Sequence, residues 1–290
     1  MKSYHDITGD GGSRIAEQIA IRRDRIEKNL ASVRHRVGIA SGKGGVGKST
    51  IARALASLWA AGGHEVAILD ADLNGPTQAR MAGLQAVAPL PGPDGVSLPR
   101  SSDGVRVFSV GTVLPESESL QFESVSSGDS HTWRGTREFA ALGEVLASVT
   151  WGRLDVLLFD LPPGAERTLQ FAEFLGPDTG FLLVSLPSAV SRGVVARSIA
   201  ALADRRNRIL GYVENMSGYC CAKCGTTQPL FPEPSGAPLG PTCLGRVPFD
   251  PALASACDRG VPPSRIPESA ATRAIGAVAD RLLALLEAPR

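Results

Sequence analysis

Ser41-Gly-Lys-Gly-Gly-Val-Gly-Lys-Ser-Thr50 is the stretch whose reading decides the fold of this chain. It fits the spacing G-x-x-x-x-G-K-[ST], with Gly42 and Gly47 as the outer glycines, Lys48 as the phosphate cation and Ser49 as the hydroxyl that follows. A loop that wraps its backbone N–H groups around a triphosphate needs angles and close approaches that a Cβ blocks, hence the glycines. The flanks agree: 36–40 read as a short strand and 49–61 as a helix whose positive N-terminal end would face the phosphates. Gly42, Gly44, Gly45, Val46, Gly47, Lys48, Ser49 and Thr50 are therefore the candidate nucleotide-binding residues. Lys43 comes too early to do the work of Lys48. It is either a solvated charge or a cation for a phosphate that its own loop does not hold.

Outward from this loop, apolar runs and helical periodicities alternate. Gly62-Gly63 stop the first helix, and 65–69 form a second strand that ends in Asp70-Ala-Asp72-Leu-Asn-Gly-Pro76. In α/β folds the carboxyl ends of strands face the ligand, so both aspartates arrive on the nucleotide side. An Asx turn ahead of a helix at 76–81 is the plainer reading of the same residues. Segments 88–104, dense in Pro and Gly, and 115–131, dense in Ser and acid, read as loops around a strand at 105–110. Trp133-Arg-Gly135 opens a helix to about 148, the tryptophan suiting either an interface or its own helix's packing. Leu154-Asp-Val-Leu-Leu-Phe-Asp160, followed by Leu-Pro-Pro-Gly164, is a buried strand ending in a carboxylate. That is the shape of a strand whose Asp160 holds Mg²⁺ opposite the hydroxyl of Ser49. Strands at 181–186, 209–213 and 244–248 and helices at 190–203 and 270–286 complete the alternation. The pattern predicts a doubly wound, mainly parallel α/β sheet of the P-loop NTPase type, a single domain over 35–290, preceded by a polar tail and an amphipathic helix within 1–34.

Bulk composition bounds the partners. The 290 residues carry 30 basic and 29 acidic side chains, a net charge of +1, so there is no global field to draw in nucleic acid or anionic lipid. No apolar run approaches a membrane span or a signal peptide, and the expectation is a cytoplasmic protein that uses neither membrane nor nucleic acid. All five cysteines (Cys220, Cys221, Cys224, Cys243, Cys257) lie in the last quarter, which in a reducing compartment points to metal or thiol chemistry.

Cys221 and Cys224 have C-x-x-C spacing in a cysteine loop at about 217–243, and Gly225 permits the tight turn that lets two thiolates converge on one soft metal. Three readings compete: inert thiols, a single-chain zinc knuckle drawing on Cys220 and Cys243, and an iron-sulfur cluster shared by two chains. One C-x-x-C supplies half of a four-sulfur set, and a two-fold axis would supply the rest.

K-G-G-x-G-K-[ST], D-A-D-x-x-G-P, D-L-P-P-G and N-M-S followed by C-x-x-C-G, in this order, resemble the Mrp/ApbC iron-sulfur carriers of the MinD/ParA group of deviant Walker A ATPases. The resemblance covers about 25–286. It implies a homodimer in which Lys43 crosses to the partner's nucleotide, Asp72 orients the attacking water, Asn215 reads adenine, and Cys221 and Cys224 hold half of a bridging [4Fe-4S] cluster destined for apo-proteins. ATP and Mg²⁺ are the implied cofactors, with zinc as the alternative metal. Cys243 and Cys257 match no family ligand. The family continues D-L-P-P-G with T-G-D, whereas this chain has Ala165-Glu166-Arg167, which puts a cation where an acid is expected. A rival is a MinD/ParA-like positioning ATPase, which calls for a basic amphipathic tail or patch. A zinc-stabilised ATPase of a specialised pathway is another.

Overall fold

Strand β1 (Val33–Ser41) is paired in parallel on both sides, with β6 (Leu154–Asp160) through Ile39 opposite Asp160 and with β7 (Thr179–Ser185) through Ser41 opposite Val184. A strand buried on both faces must be apolar at successive positions, and Val37, Ile39 and Ala40 are fully buried. The computed structural model describes residues 15–114, 131–203, 205–221, 223–232 and 239–288, side chains of 15–20, 131–136 and 220 excepted. In chain order the other elements are α1 (Ile15–Leu30), α2 (Lys48–Ala61), β2 (Val66–Asp70), α3 (Gln78–Met81), β3 (Leu90–Gly92), β4 (Gly95–Ser97), β5 (Arg106–Phe108), α4 (His131–Ser148), α5 (Ala165–Leu175), α6 (Ala189–Ala203), β8 (Ile209–Cys220), β9 (Thr227–Pro229), β10 (Cys243–Phe249), α7 (Pro251–Asp258) and α8 (Ala270–Glu287).

The main sheet runs β10-β8-β7-β1-β6-β2-β5, all parallel, with β9 added antiparallel to β8. Strand order reverses around β1, so the crevice at its carboxyl end is the ligand position expected of an open, doubly wound sheet. Alternate residues of each strand feed two cores. Ile39, Ile68, Leu158, Leu182 and Val213 pack under α2 and α8 on one face, while Ala40, Leu69, Phe159, Leu183 and Tyr212 pack under α4, α5 and α6 on the other. The indole N–H of Trp59 in α2 donates to the carbonyl of Ala279 in α8 (3.3 Å), and Gly63 takes the left-handed conformation (φ 88°) that ends α2.

Several expectations need correction. The strand expected at 209–213 continues to Cys220, because Val247 and Phe249 of β10 and then β9 supply ladder partners for its polar second half. The helix expected from 76 begins at Gln78, since Asp70 captures the amides of Thr77 and Gln78 first. Segment 88–104, expected as loop, contains the β3–β4 hairpin. Residues 115–130 of the loop expected at 115–131 and the side chains of Trp133 and Cys220 lie outside the described residues, and His131 already belongs to α4. Among those described, no helix is long and apolar enough to cross a membrane.

Candidate functional site

The phosphate loop closes between the end of β1 and the start of α2, and its glycines are required for different reasons. Gly45 and Gly47 hold left-handed angles (φ 75° and 80°). At Gly42 a Cβ would fall 2.1 Å from the side chain of Val194 in α6, and at Gly47 it would fall 2.2 Å from the amide nitrogen of Asn215. Asn215 ends the core part of β8 and donates from Nδ2 to the carbonyl of Val46 (2.8 Å), so this strand is fastened to the loop. Lys43 stands exposed on the rim, its carbonyl accepting from Ser41 Oγ (3.1 Å), whereas Lys48 is buried.

Lys48 Nζ is paired with Asp160 at the end of β6 and lies 3.3 Å from Ser49 Oγ. Gln78 of α3, fully buried and absent from the residues expected from sequence, donates from Nε2 to Asp160 Oδ2 (2.8 Å) and to the carbonyl of Ser49 (3.0 Å). It fixes the carboxylate against the loop. Nothing in the local sequence marks it beyond its place directly after the D-A-D segment.

Asp70 lies beside this group, also fully buried. Burial and then the neighbouring Asp160 push its carboxyl up from 3.8 to about 7, against the bonds from the Gln78 amide and Ser109 Oγ and the charge of Lys48. Two carboxyl groups and one ammonium group buried together suit a further cation: Ser49 and Asp160 would hold Mg²⁺, whose charge would offset the crowding of Asp70 against Asp160. Asp72 is half-buried and its Oδ1 accepts from the Gly75 amide (3.1 Å). The Asx turn, the plainer reading of this segment, is thus present. Arg167, the cation in place of the expected acid, pairs with Glu138 of α4 and lies 5.3 Å from the ring centre of Phe139 and 5.5 Å from that of Phe171.

The cysteine loop is the tip of the β8–β9 hairpin. Cys221 N–H donates to Thr226 O (2.9 Å), Gly225 N–H donates to Cys221 O (2.8 Å), and Gly225 has φ 69°. Both thiols are therefore carried on one tight turn. Cys224 is exposed, and its Sγ lies 2.7 Å from Thr226 Oγ1. That hydroxyl, then the Thr226 amide and the Cys221 thiol, hold Cys224 below the ordinary thiol range, which favours the metal-binding thiolate. Cys243 is elsewhere: β10 sets it beside Tyr212, nine residues before Cys221 and roughly 30 Å away along an extended strand. The single-chain zinc set that included Cys243 is thus not assembled, and no group of three or more metal-binding side chains occurs among the described residues. Cys257 is buried, which raises its thiol to about 11.

A family model described as ParA, NUBPL iron-transfer P-loop NTPase, matches residues 32–283. The chain belongs to that family. As a NUBPL-type P-loop NTPase it is an ATPase, and the kinship inferred from its motifs is borne out by its relatives. It is 31% identical over 280 residues to an iron-sulfur cluster carrier protein of Saccharolobus solfataricus, covering 94% of this chain and 91% of that one. It is 36% identical over 266 residues to the cytosolic Fe-S cluster assembly factor NUBP2 of Bos taurus, covering 88% of this chain and 94% of that one. Among solved structures, a nucleotide-binding protein of Archaeoglobus fulgidus in complex with ADP matches at 28% identity and TM-score 0.69, over 84% of this chain and 93% of that one. The cell division ATPase MinD of Pyrococcus furiosus matches at 20% identity and TM-score 0.59, over 87% of this chain and 99% of that one, a likeness of fold.

Proposed function

We propose that this NUBPL-type ATPase is a homodimeric carrier that holds a [4Fe-4S] cluster between two cysteine hairpins and passes it to apo-proteins under control of ATP. The observation that carries the reading is the hairpin tip itself, with two thiols on one turn and no further metal-binding side chains grouped with them among the described residues. Two sulfurs are half of a cluster's set, and a second copy is the simplest source of the other half.

In this reading Lys48 and the loop amides cradle the phosphates, Asn215 receives the adenine, and Asp72 orients water towards the γ-phosphate. Ser49 and Asp160 would hold Mg²⁺, which supplies charge neutralisation to the phosphates. Lys48 exchanges its partner Asp160 for phosphate when nucleotide enters. Lys43, exposed on the rim, reaches the partner's nucleotide and offsets developing charge. Relatives named as cytosolic assembly factors support a cytosolic setting for this work.

Anaerobic reconstitution followed by iron, sulfide and zinc analysis tests the cargo. Wild type should take up iron and sulfide in equal amounts, and Cys221→Ala should take up neither; equal metal content in the two proteins would sink the reading. Lys43→Ala should bind nucleotide normally while hydrolysis falls by roughly 10³. Unchanged turnover in that variant would refute the crossing lysine.

A further inference from the structure

Glu138 divides its carboxylate between the two segments that flank the phosphate site. One oxygen, Oε1, accepts from Asn74 Nδ2 (2.8 Å), and the other, Oε2, is paired with Arg167. Asn74 lies inside the turn 72–75, which is closed by the Gly75 amide bonding both Asp72 O (3.3 Å) and Asp72 Oδ1 (3.1 Å). Arg167 lies in the first turn of α5, seven residues after Asp160, where Gln170 Oε1 (3.0 Å) and two phenyl faces hold it in place. Glu138 is 6% exposed, and an acid so enclosed must be fully paired. Arg167 cannot shift without leaving a buried charge unpaired, and Asn74, though itself exposed, supplies the protein donor to the other carboxylate oxygen, so the two segments are joined through α4.

We infer that Glu138 is a positioning residue for ATP hydrolysis: it locks the turn bearing Asp72 to the segment following Asp160, so that both move as one unit on α4 when the γ-phosphate arrives or leaves. The inference rests on the proposed role of Asp72. The cation in place of the family's acid then has a use, because Arg167 is what makes the junction a charged one. The bond acts on the orientation of Asp72 and not on the phosphate cradle, so it should govern turnover and leave nucleotide affinity alone.

Steady-state ATPase kinetics and fluorescent-ADP binding on the full chain test this. Glu138→Ala should lower kcat about tenfold, with the ADP dissociation constant unchanged within about twofold. Asn74→Ala and Arg167→Met should each lower kcat, the double variant should be no worse than the poorer single one, and neither should add to Glu138→Ala. Because Glu138→Ala strands Arg167, a Glu138→Leu/Arg167→Leu variant, which removes both charges together, serves as a folded control and should show the same loss of kcat. Additive losses from Asn74→Ala and Arg167→Met, or a loss that appears equally in ADP affinity, would overturn the coupling. Asp72→Ala separates the two levels: if it abolishes hydrolysis while Glu138→Ala leaves kcat intact, only the coupling fails. If Asp72→Ala hydrolyses ATP normally, the proposed water-orienting role fails and takes the coupling with it.

Discussion

Asp70 shows how charge is crowded into the floor of the nucleotide site. Its folded carboxyl titrates near 7 and its unfolded one near 3.8, so between these values the folded chain keeps a proton that the unfolded chain has released. Stability linked to this group is therefore present at low pH and is lost as pH rises through about 7. Asp70→Asn cannot titrate, and its amide oxygen can still accept from Thr77 N–H, Gln78 N–H and Ser109 Oγ, all of which meet the one atom Oδ2. In nucleotide-free protein the melting temperature of the variant relative to wild type should rise between about pH 5 and pH 8. A difference that stays constant over that interval would show that Asp70 does not titrate there. The motif residues at this scale were legible because each must be one residue type: glycine where φ is positive, lysine and aspartate where charge is needed. Gln78 and Glu138 were not, since their partners Asp160 and Arg167 lie 82 and 29 residues away and only the folded chain brings them together.

One side-chain amide of α1 closes the C-terminal end of α4. Asn29 Nδ2, near the end of α1, donates to the carbonyls of Ala147 (2.7 Å), Leu146 (3.3 Å) and Val149 (3.3 Å), satisfying groups that the C-terminus of α4 leaves open. Arg22 adds an exposed ion pair to Glu144. Asn29→Ala should destabilise by about 1–2 kcal/mol, read as a melting temperature a few degrees lower. Asn29→Asp should be worse, because it sets an anion against the negative end of α4. An alanine variant as stable as wild type would show that α1 is held by its apolar face and the Arg22 pair without help from this amide. Elements were legible where one periodicity ran undisturbed: the expected strand 154–160 coincides with β6, and α8 was expected within one residue of its observed end. Helix α5 buries Thr168, Phe171, Ala172 and Leu175, a helical spacing masked because its first turn reads as the tail of the phosphate motif. The outer half of β8 was illegible for a different reason. Its residues Glu214 to Cys220 are mostly polar, and only pairing with distant β10 and β9 keeps them extended.

Across the whole molecule β8 joins the two chemistries, since Asn215 touches the phosphate loop and the same strand ends five residues later at Cys220, directly before the turn that carries Cys221 and Cys224. The proposed carrier therefore predicts something that a self-sufficient metal knuckle does not: metal uptake must depend on the partner. If wild-type chains are mixed in equal amounts with a Cys221→Ala/Cys224→Ala variant and allowed to exchange before anaerobic reconstitution, random pairing leaves about half of the wild-type chains beside another wild-type chain. A cluster that needs four thiolates forms only in those pairs, so iron per wild-type chain should fall to about half its unmixed value. A chain that binds metal alone would keep its full complement at any mixing ratio, which would overturn the shared site while leaving the nucleotide chemistry intact. Glu138→Ala offers an internal contrast, because it alters the junction of the phosphate segments and none of the sulfur ligands. Mixed in place of the cysteine variant, it should leave iron per chain unchanged.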